Sequence, residues 1–448
     1  MMIEAVRLAI EALTSVDVEK KGERLALAEA IEKHGVRNVN AIRLAHKLVV
    51  ETLKRLGLID ELVSSALREG GADLTFIRPE VRAFLRLLVY RAVVEKADRG
   101  DLIDMVRAGR DVLGHKVLKP FEEAIGRCTT SSLEDALLEK GGDERLALEL
   151  GVPMWLLKQL YASLGRRSAL MALRAFMEKQ PTYIRVNTLK APEESVIRSL
   201  SKEGIGLRPV EGLRHVYEVL EVEKPLVLTE AYRKGLFYIQ DKASCLAVEI
   251  ARPEPGQLVL DVCAAPGAKT SHIAQLMGNK GLIISVDFSE RRLRVWRRLM
   301  EKMGVRIALP ILSDARFELP IRLEADIVVL DPPCTSTGAF SRAPSARWRL
   351  TPKSVRNMAS IQAKMLDACA GHVRPGGALI YATCSLLVEE NELVVERFLR
   401  THPDFELERA EPFMGSPGLR GLRACQRLYP HVHACDGYFI AKLRRAGP

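Results

Sequence analysis

The 448 residues predict a multidomain fold: an all-α region first, a small mixed α/β segment next, and an α/β region built on a parallel sheet last. Length is the first observation behind this, because single hydrophobic cores stop growing at about 250–300 residues. The second is helix-spaced apolar residues over roughly the first 140 positions. The third is a change of rhythm near residue 256, where short apolar runs begin to alternate with longer helical segments, the pattern of βαβ units.

Apolar residues recur at helical spacing in Ile42, Ala45, Val49, Leu53 and Leu56, and again in Val81, Phe84, Leu85, Leu88 and Ala92, so each segment turns one stripe toward a core. Lys140-Gly141-Gly142-Asp143 joins two glycines to an acid, a turn followed by a helix start, and marks a boundary. Helical spacing resumes from Arg145 to Glu178. From Tyr183 to Leu189 the residues alternate as in a strand, and a helix follows from about Pro192 to Glu203. Beyond residue 256 six strands are predicted: Leu258–Cys263, Leu282–Asp287, Ile307–Leu312, Asp326–Asp331, Ala378–Thr383 and Tyr438–Leu443. In open α/β sheets ligands bind outside the carboxyl ends of the strands. Here the first, second, fourth and fifth end on or beside a residue with useful chemistry.

Lys and Arg outnumber Asp and Glu by 67 to 57, a formal charge of +10 that favours a polyanionic partner over a neutral metabolite alone. With 48% hydrophobic and 28% charged residues, a disordered or fibrous chain is excluded. No apolar run approaches the roughly 20 residues of a membrane helix, and Glu4 and Arg7 interrupt the start where a signal peptide would be apolar. A cytoplasmic chain without membrane association is expected. Eight cysteines lack paired CxxC spacing, so free thiols are expected rather than a disulfide framework or zinc ribbon. His431, His433 and Cys435 lack a fourth ligand, and no metal site is assigned.

The first strand of the α/β region runs through Asp261 into Cys263-Ala264-Ala265-Pro266-Gly267-Ala268-Lys269, after which a helix begins near Ser271. Small residues admit close backbone approach, and a helix start offers free N–H groups to an anionic group. Without GxGxxG or GxxxxGK[ST], a phosphate cradle is disfavoured. Asp287, about 20 residues beyond Gly267 at the next strand end, stands where an acid accepts from ribose hydroxyls. Asp314, after the third strand, is positioned to accept from an adenine amino group. Any one of these acids is as readily a helix cap; three in register point to a nucleoside ligand.

The fourth strand ends in Asp331-Pro332-Pro333-Cys334, whose two prolines stiffen the loop. The fifth ends in Tyr381-Ala382-Thr383-Cys384-Ser385. If the two strands are neighbours, two thiols fifty positions apart face one pocket. A lone strand-end cysteine is more often an inert core residue; the paired motifs argue for reactive thiols.

With these residues the chain resembles the Sun (Fmu, Nol/Nop) family of RNA cytosine-5 methyltransferases. The matching segments are Cys263 to Lys269, Asp331-Pro-Pro-Cys334, Tyr381-Ala-Thr-Cys384-Ser385, Tyr238-Ile-Gln-Asp-Lys-Ala-Ser244 and Asp436-Gly-Tyr-Phe439, spread over about residues 145–443. The resemblance implies a Rossmann-like class I methyltransferase domain over 236–448, a connecting domain over 145–235, S-adenosyl-L-methionine as cofactor, and RNA as partner. It implies that Cys384 is the nucleophile, that Cys334 assists release of methylated RNA, that Asp331 contacts cytosine near the cofactor methyl, and that Lys269, Asp287 and Asp314 line the cofactor site.

Cytosine carbon 5 is too weak a nucleophile to take the methyl unaided; a thiolate added to carbon 6 makes it an enamine. The addition needs an acid at ring nitrogen 3, for which a buried carboxyl with a raised pKa, Asp331, is the expectation. Ala268 departs from the family's second adjacent glycine, which matters only if that position needs a positive φ.

Residues 1–140 resemble the NusB-type RNA-binding domain of the family's bacterial 16S rRNA members. About 47 residues separate Lys190 from Tyr238, too few for the PUA domain of some tRNA-acting relatives. Ribosomal RNA is therefore favoured over tRNA as substrate, with a monomer as the default state. Arg342, Arg347, Trp348 and Arg349, followed by Lys353 and Arg356, mix cations with an aromatic ring and are expected to form an RNA face. Two other readings stand against this one: an amino-directed methyltransferase, disfavoured because Cys334 occupies the place of an aromatic residue, and a non-enzymatic NusB-type RNA-binding protein on a methyltransferase scaffold.

Overall fold

A computed structural model describes residues 1–68, 70–137 and 140–447 in two compact units: Met1–Ala162 with Phe340–Thr351, and Ser163–Ala339 with Pro352–Pro448. Glu69, Leu138, Glu139 and Pro448, all within segments assigned above, lie outside the described residues.

The first unit is helical. Its core is drawn from the apolar stripes of helices Met2–Val18, Val39–Lys54, Leu56–Arg68 and Pro79–Val89, among others. Asn38 opens the second of these by accepting from the Asn40 and Ala41 N–H groups, two donors that a helix start leaves unpaired. The stripe read from Ile42 to Leu56 is split here: one helix ends at Lys54 and the next begins at Leu56. Arg86 is buried in this core with carboxylates on both sides, Asp60 at 2.6 and 2.8 Å and Asp17 at 2.9 Å. Burying a charge without such partners is costly.

The second unit holds two sheets. The smaller is antiparallel, formed by β1 (Thr182–Val186), β2 (Ile205–Pro209), β3 (Val216–Val222) and β4 (Phe237–Ile239) in the order β2-β3-β1-β4, with helix Glu193–Lys202 connecting β1 to β2. Only β1 and that helix were read from sequence; the other strands are short or partly exposed and carry a weak alternation.

The larger sheet contains β5 (Leu258–Val262), β6 (Leu282–Asp287), β7 (Ala308–Leu312), β8 (Ala325–Leu330), β9 (Val373–Thr383), β10 (Phe405–Glu408), β11 (Ser416–Pro417), β12 (Gln426–Leu428) and β13 (Tyr438–Arg445). Their order is β11-β12-β13-β9-β8-β5-β6-β7, with β10 on β13. Strands β5 to β9 are parallel to their neighbours and β13 is antiparallel to β9. The near-continuous apolar runs follow from burial on both faces. Leu260, Val262, Val328, Leu330 and Tyr381 enter one core, while the alternating Val259, Ile327, Val329, Ile380 and Ala382 enter the other. The chain passes from β5 outward to β6 and β7, then returns to β8 on the other side of β5. A crevice opens at such a reversal beyond the strand ends.

Candidate active site

The loop after β5 is shaped by steric need. Gly267 has φ +113°, and a Cβ there would lie 2.6 Å from Met300 Cε and 3.1 Å from Trp296 Cδ1. Only glycine meets both conditions. Ala268 is absent from the positive-φ residues and opens helix Ala268–Leu276, so the departure at that position costs nothing on this ground. Ala264 and Ala265 are buried under Leu293, Trp296 and Met300. Cys263 has φ +64°, and burial pushes its thiol well above the ordinary range, the state of a wall residue rather than a nucleophile.

Asp287 ends β6 with its carboxylate fully buried. It accepts from Ala265 N–H at 3.2 Å and Ser289 N–H at 3.1 Å, and lies 3.2 Å from the Arg292 guanidinium. The loop and the acid are thus fixed to each other. Asp314 follows β7; Arg316 folds back onto its carboxylate, and this bonding holds its pKa below the usual range. Phe288, 61% exposed, directly follows Asp287, a large apolar ring left open beside the crevice. Asp261 lies under the loop, with one carboxylate oxygen accepting from Thr270 Oγ1 at 2.5 Å and the other, buried, without a partner among the described residues. An orphaned carboxylate oxygen, a glycine-shaped loop and a buried acid at the next strand end fit a nucleoside that carries an amino-acid tail.

Strands β8 and β9 are neighbours in parallel register, Leu330 opposite Tyr381, as the motif reading required. The sulfurs of Cys334 and Cys384 are 3.2 Å apart. The Cys384 thiol and burial together push the Cys334 thiol well above its ordinary value. Cys384 Sγ also reaches Ser336 Oγ at 3.6 Å. Asp331 accepts from Lys269 Nζ at 2.6 Å and from Tyr438 Oη at 3.4 Å. Burial alone would lower the Lys269 pKa; the charge and hydrogen bond of Asp331, together with Tyr438, outweigh it and raise it.

Two expectations are corrected by this geometry. The expectation of a buried carboxyl at Asp331 is not met: its side chain is 34% exposed and lies 2.6 Å from Lys269 Nζ. The RNA face after Cys334 does not form as expected. Arg347 is 0% exposed, donating to the carbonyls of Leu150 (3.3 Å), Gly151 (3.1 Å) and Phe340 (3.0 Å) and lying over the Phe340 ring. Trp348 donates to Leu53 O at 2.7 Å, and its ring packs so closely on Gly57 that a Cβ there would meet it at 2.8 Å. Both serve the helical unit, because backbone carbonyls at helix ends need donors. Arg349 donates to Lys20 O at 2.7 Å yet remains exposed, and Arg342 is half-buried.

Tyr438 and Glu390 are the polar residues that sequence reasoning passed over. The tyrosine stands inside a quoted motif, where its role was invisible without the fold. Glu390 stands in the run Glu389-Glu390-Asn391-Glu392, which reads as a solvated helix start.

The strand-end loop, the acid pair and the thiols beside them define a Rossmann-like class I methyltransferase. The family model for 16S rRNA methyltransferase RsmB/F matches residues 248–444, and the ferredoxin-like domain of the same family matches 152–227. A probable ribosomal RNA small subunit methyltransferase B of Bacillus subtilis is 28% identical, over 98% of this chain and 98% of its own. A tRNA (cytosine(72)-C(5))-methyltransferase of Pyrococcus horikoshii is 39% identical over 48% of this chain and 54% of its own. Among solved structures, PH0851 aligns with TM-score 0.83 and 30% identity, covering 99% of each chain. The chain belongs to the RsmB/F (Sun/Fmu) family of S-adenosylmethionine-dependent RNA cytosine-5 methyltransferases. Among the described residues no helix is long and apolar enough to cross a membrane.

Proposed function

We propose that this chain methylates carbon 5 of a cytosine in ribosomal RNA through a covalent bond from Cys384 to carbon 6. The observation that carries the mechanism is the 3.2 Å separation of the Cys334 and Cys384 sulfurs at adjoining strand ends, with the Lys269–Asp331 pair beside them.

Cys384 adds as a thiolate to carbon 6, and the electron pair displaced moves toward nitrogen 3 and the exocyclic oxygen of the base. Lys269, held protonated by Asp331, is the group in this site suited to offset that charge. Asp331, as a carboxylate, accepts from the cytosine amino group. When bound, S-adenosylmethionine supplies the methyl group. Asp287 would hold its ribose hydroxyls, Phe288 and Asp314 its adenine, and Asp261 with the loop 263–269 its methionyl tail. Release requires loss of the carbon 5 proton before the carbon 6–sulfur bond breaks, and Cys334 beside the nucleophile assists that step.

Ribosomal RNA is favoured over tRNA because similarity to the small subunit methyltransferase B extends through the helical unit, whereas the tRNA-acting relative matches only half of the chain. We assign that helical unit a NusB-type RNA-binding role. Cys384→Ala is expected to abolish transfer of labelled methyl to rRNA while leaving cofactor binding intact, and the wild-type product is expected to be 5-methylcytidine. Wild-type turnover in that variant, or label confined to tRNA, would overturn the mechanism or the substrate respectively.

A further inference from the structure

We infer that Glu390 is a positioning residue for this reaction: its carboxylate ties the Cys334 loop to the Cys384 loop and thereby sets the distance between the two sulfurs. The inference rests on the reading of those thiols as a working pair.

Glu390 is fully buried, and among the described residues its carboxylate has no cationic partner. A carboxylate so placed is costly unless its lone pairs are filled. Four neutral donors fill them. Oε2 accepts from Thr335 N–H at 2.9 Å and Gln362 Nε2 at 2.8 Å; Oε1 accepts from Ser385 Oγ at 2.6 Å and from Thr335 Oγ1. Thr335 is the residue after Cys334, and Ser385 is the residue after Cys384, so one side chain grips both loops immediately beside the sulfurs. Gln362 also donates to Pro333 O at 2.9 Å, which brings the other side of the Cys334 loop into the same network. The glutamate is itself held: Tyr381 Oη donates to its carbonyl at 2.5 Å, and its neighbour Asn391 donates to Ser385 O at 2.8 Å.

The chemistry requires a carboxylate. An amide has one acceptor oxygen and two N–H donors, so glutamine would point N–H groups at donors. An apolar residue would leave Thr335 N–H buried and unpaired. Neither Glu390 nor Thr335 is assigned a contact with substrate or cofactor, so the effect passes through the cysteines.

The test uses phenylarsine oxide on the full chain. One arsenic forms two As–S bonds with neighbouring thiols while its oxygen leaves as water with their two protons. Wild type is expected to take up one arsenical across Cys334 and Cys384, read by mass spectrometry and absent in Cys334→Ala. Glu390→Gln is expected to bridge about tenfold more slowly and to lose about a hundredfold in kcat on rRNA, the scale of an ångström-sized misplacement. Cofactor Kd and KM for rRNA should stay within about twofold, which a merely unfolded variant would not allow. Should Glu390→Gln fail to fold, Thr335→Val removes a hydroxyl donor and Thr335→Ser restores it. The first is expected to lose bridging and kcat, the second to keep both. Wild-type bridging and turnover in Glu390→Gln and Thr335→Val would overturn the inference. Full activity in Cys384→Ala with impaired bridging in Glu390→Gln would instead sink the nucleophile reading and leave the tie standing.

Discussion

Asp261 is the residue whose protonation the fold burdens most directly. Burial pushes its carboxyl up to about 7; the Thr270 hydrogen bond and the Lys269 charge oppose that rise, and the Asp331 and Asp287 charges add to it. A carboxyl with a folded-state pKa above its unfolded value contributes stability below the ordinary carboxylate range, and that contribution is lost as pH rises through about 7. The loss is at most of the order of 4 kcal/mol. Urea midpoints of the cofactor-free chain are therefore expected to fall between pH 4.5 and 8, and Asp261→Asn is expected to flatten that fall. An unchanged slope in the variant would show that another group carries the pH dependence. Lys269 shows the opposite case: although it is buried, its pKa is raised, with Asp331 2.6 Å away. The sequence placed both in the site but not together, since 62 positions separate them.

Among the elements, the segment Phe340–Thr351 changed most between sequence and fold. Its cations and tryptophan read as an RNA stack, yet in the helical unit Arg347 supplies donors to three carbonyls and Trp348 to a fourth. Composition reports that cations are present; whether a guanidinium faces water or a carbonyl is decided by a chain segment almost 200 positions earlier. Arg347→Ala should cost about 3 kcal/mol by leaving buried carbonyls unpaired. Differential scanning calorimetry is expected to show a lower Tm for the variant, and wild-type stability would return the arginine to the surface. The strands β5, β6, β8 and β9 were legible because both-face burial writes itself as an uninterrupted apolar run. The short β10 to β12, which extend the sheet beside β13, have no such run and were not.

Across the whole molecule, the +10 charge predicts that RNA is held largely through its phosphates. Raising salt from about 50 to about 200 mM should weaken binding to rRNA at least about tenfold, measured by filter binding or anisotropy. Salt-independent affinity would place recognition in the bases instead. What the amino-acid order determined by itself is the order of helical, small α/β and parallel-sheet parts, the strands of that sheet, and the small-residue loop and two cysteines at its strand ends, because each is written in a local period or a contiguous motif. The helical unit nevertheless runs on to Ala162 and takes in Phe340–Thr351, beyond the boundary expected near residue 140. Tertiary structure alone decided that the sulfurs lie 3.2 Å apart, that Asp331 is paired rather than buried alone, that Arg347 is interior, and that Glu390 lies between two loops. Those facts depend on which distant segments meet, and no local period encodes that meeting.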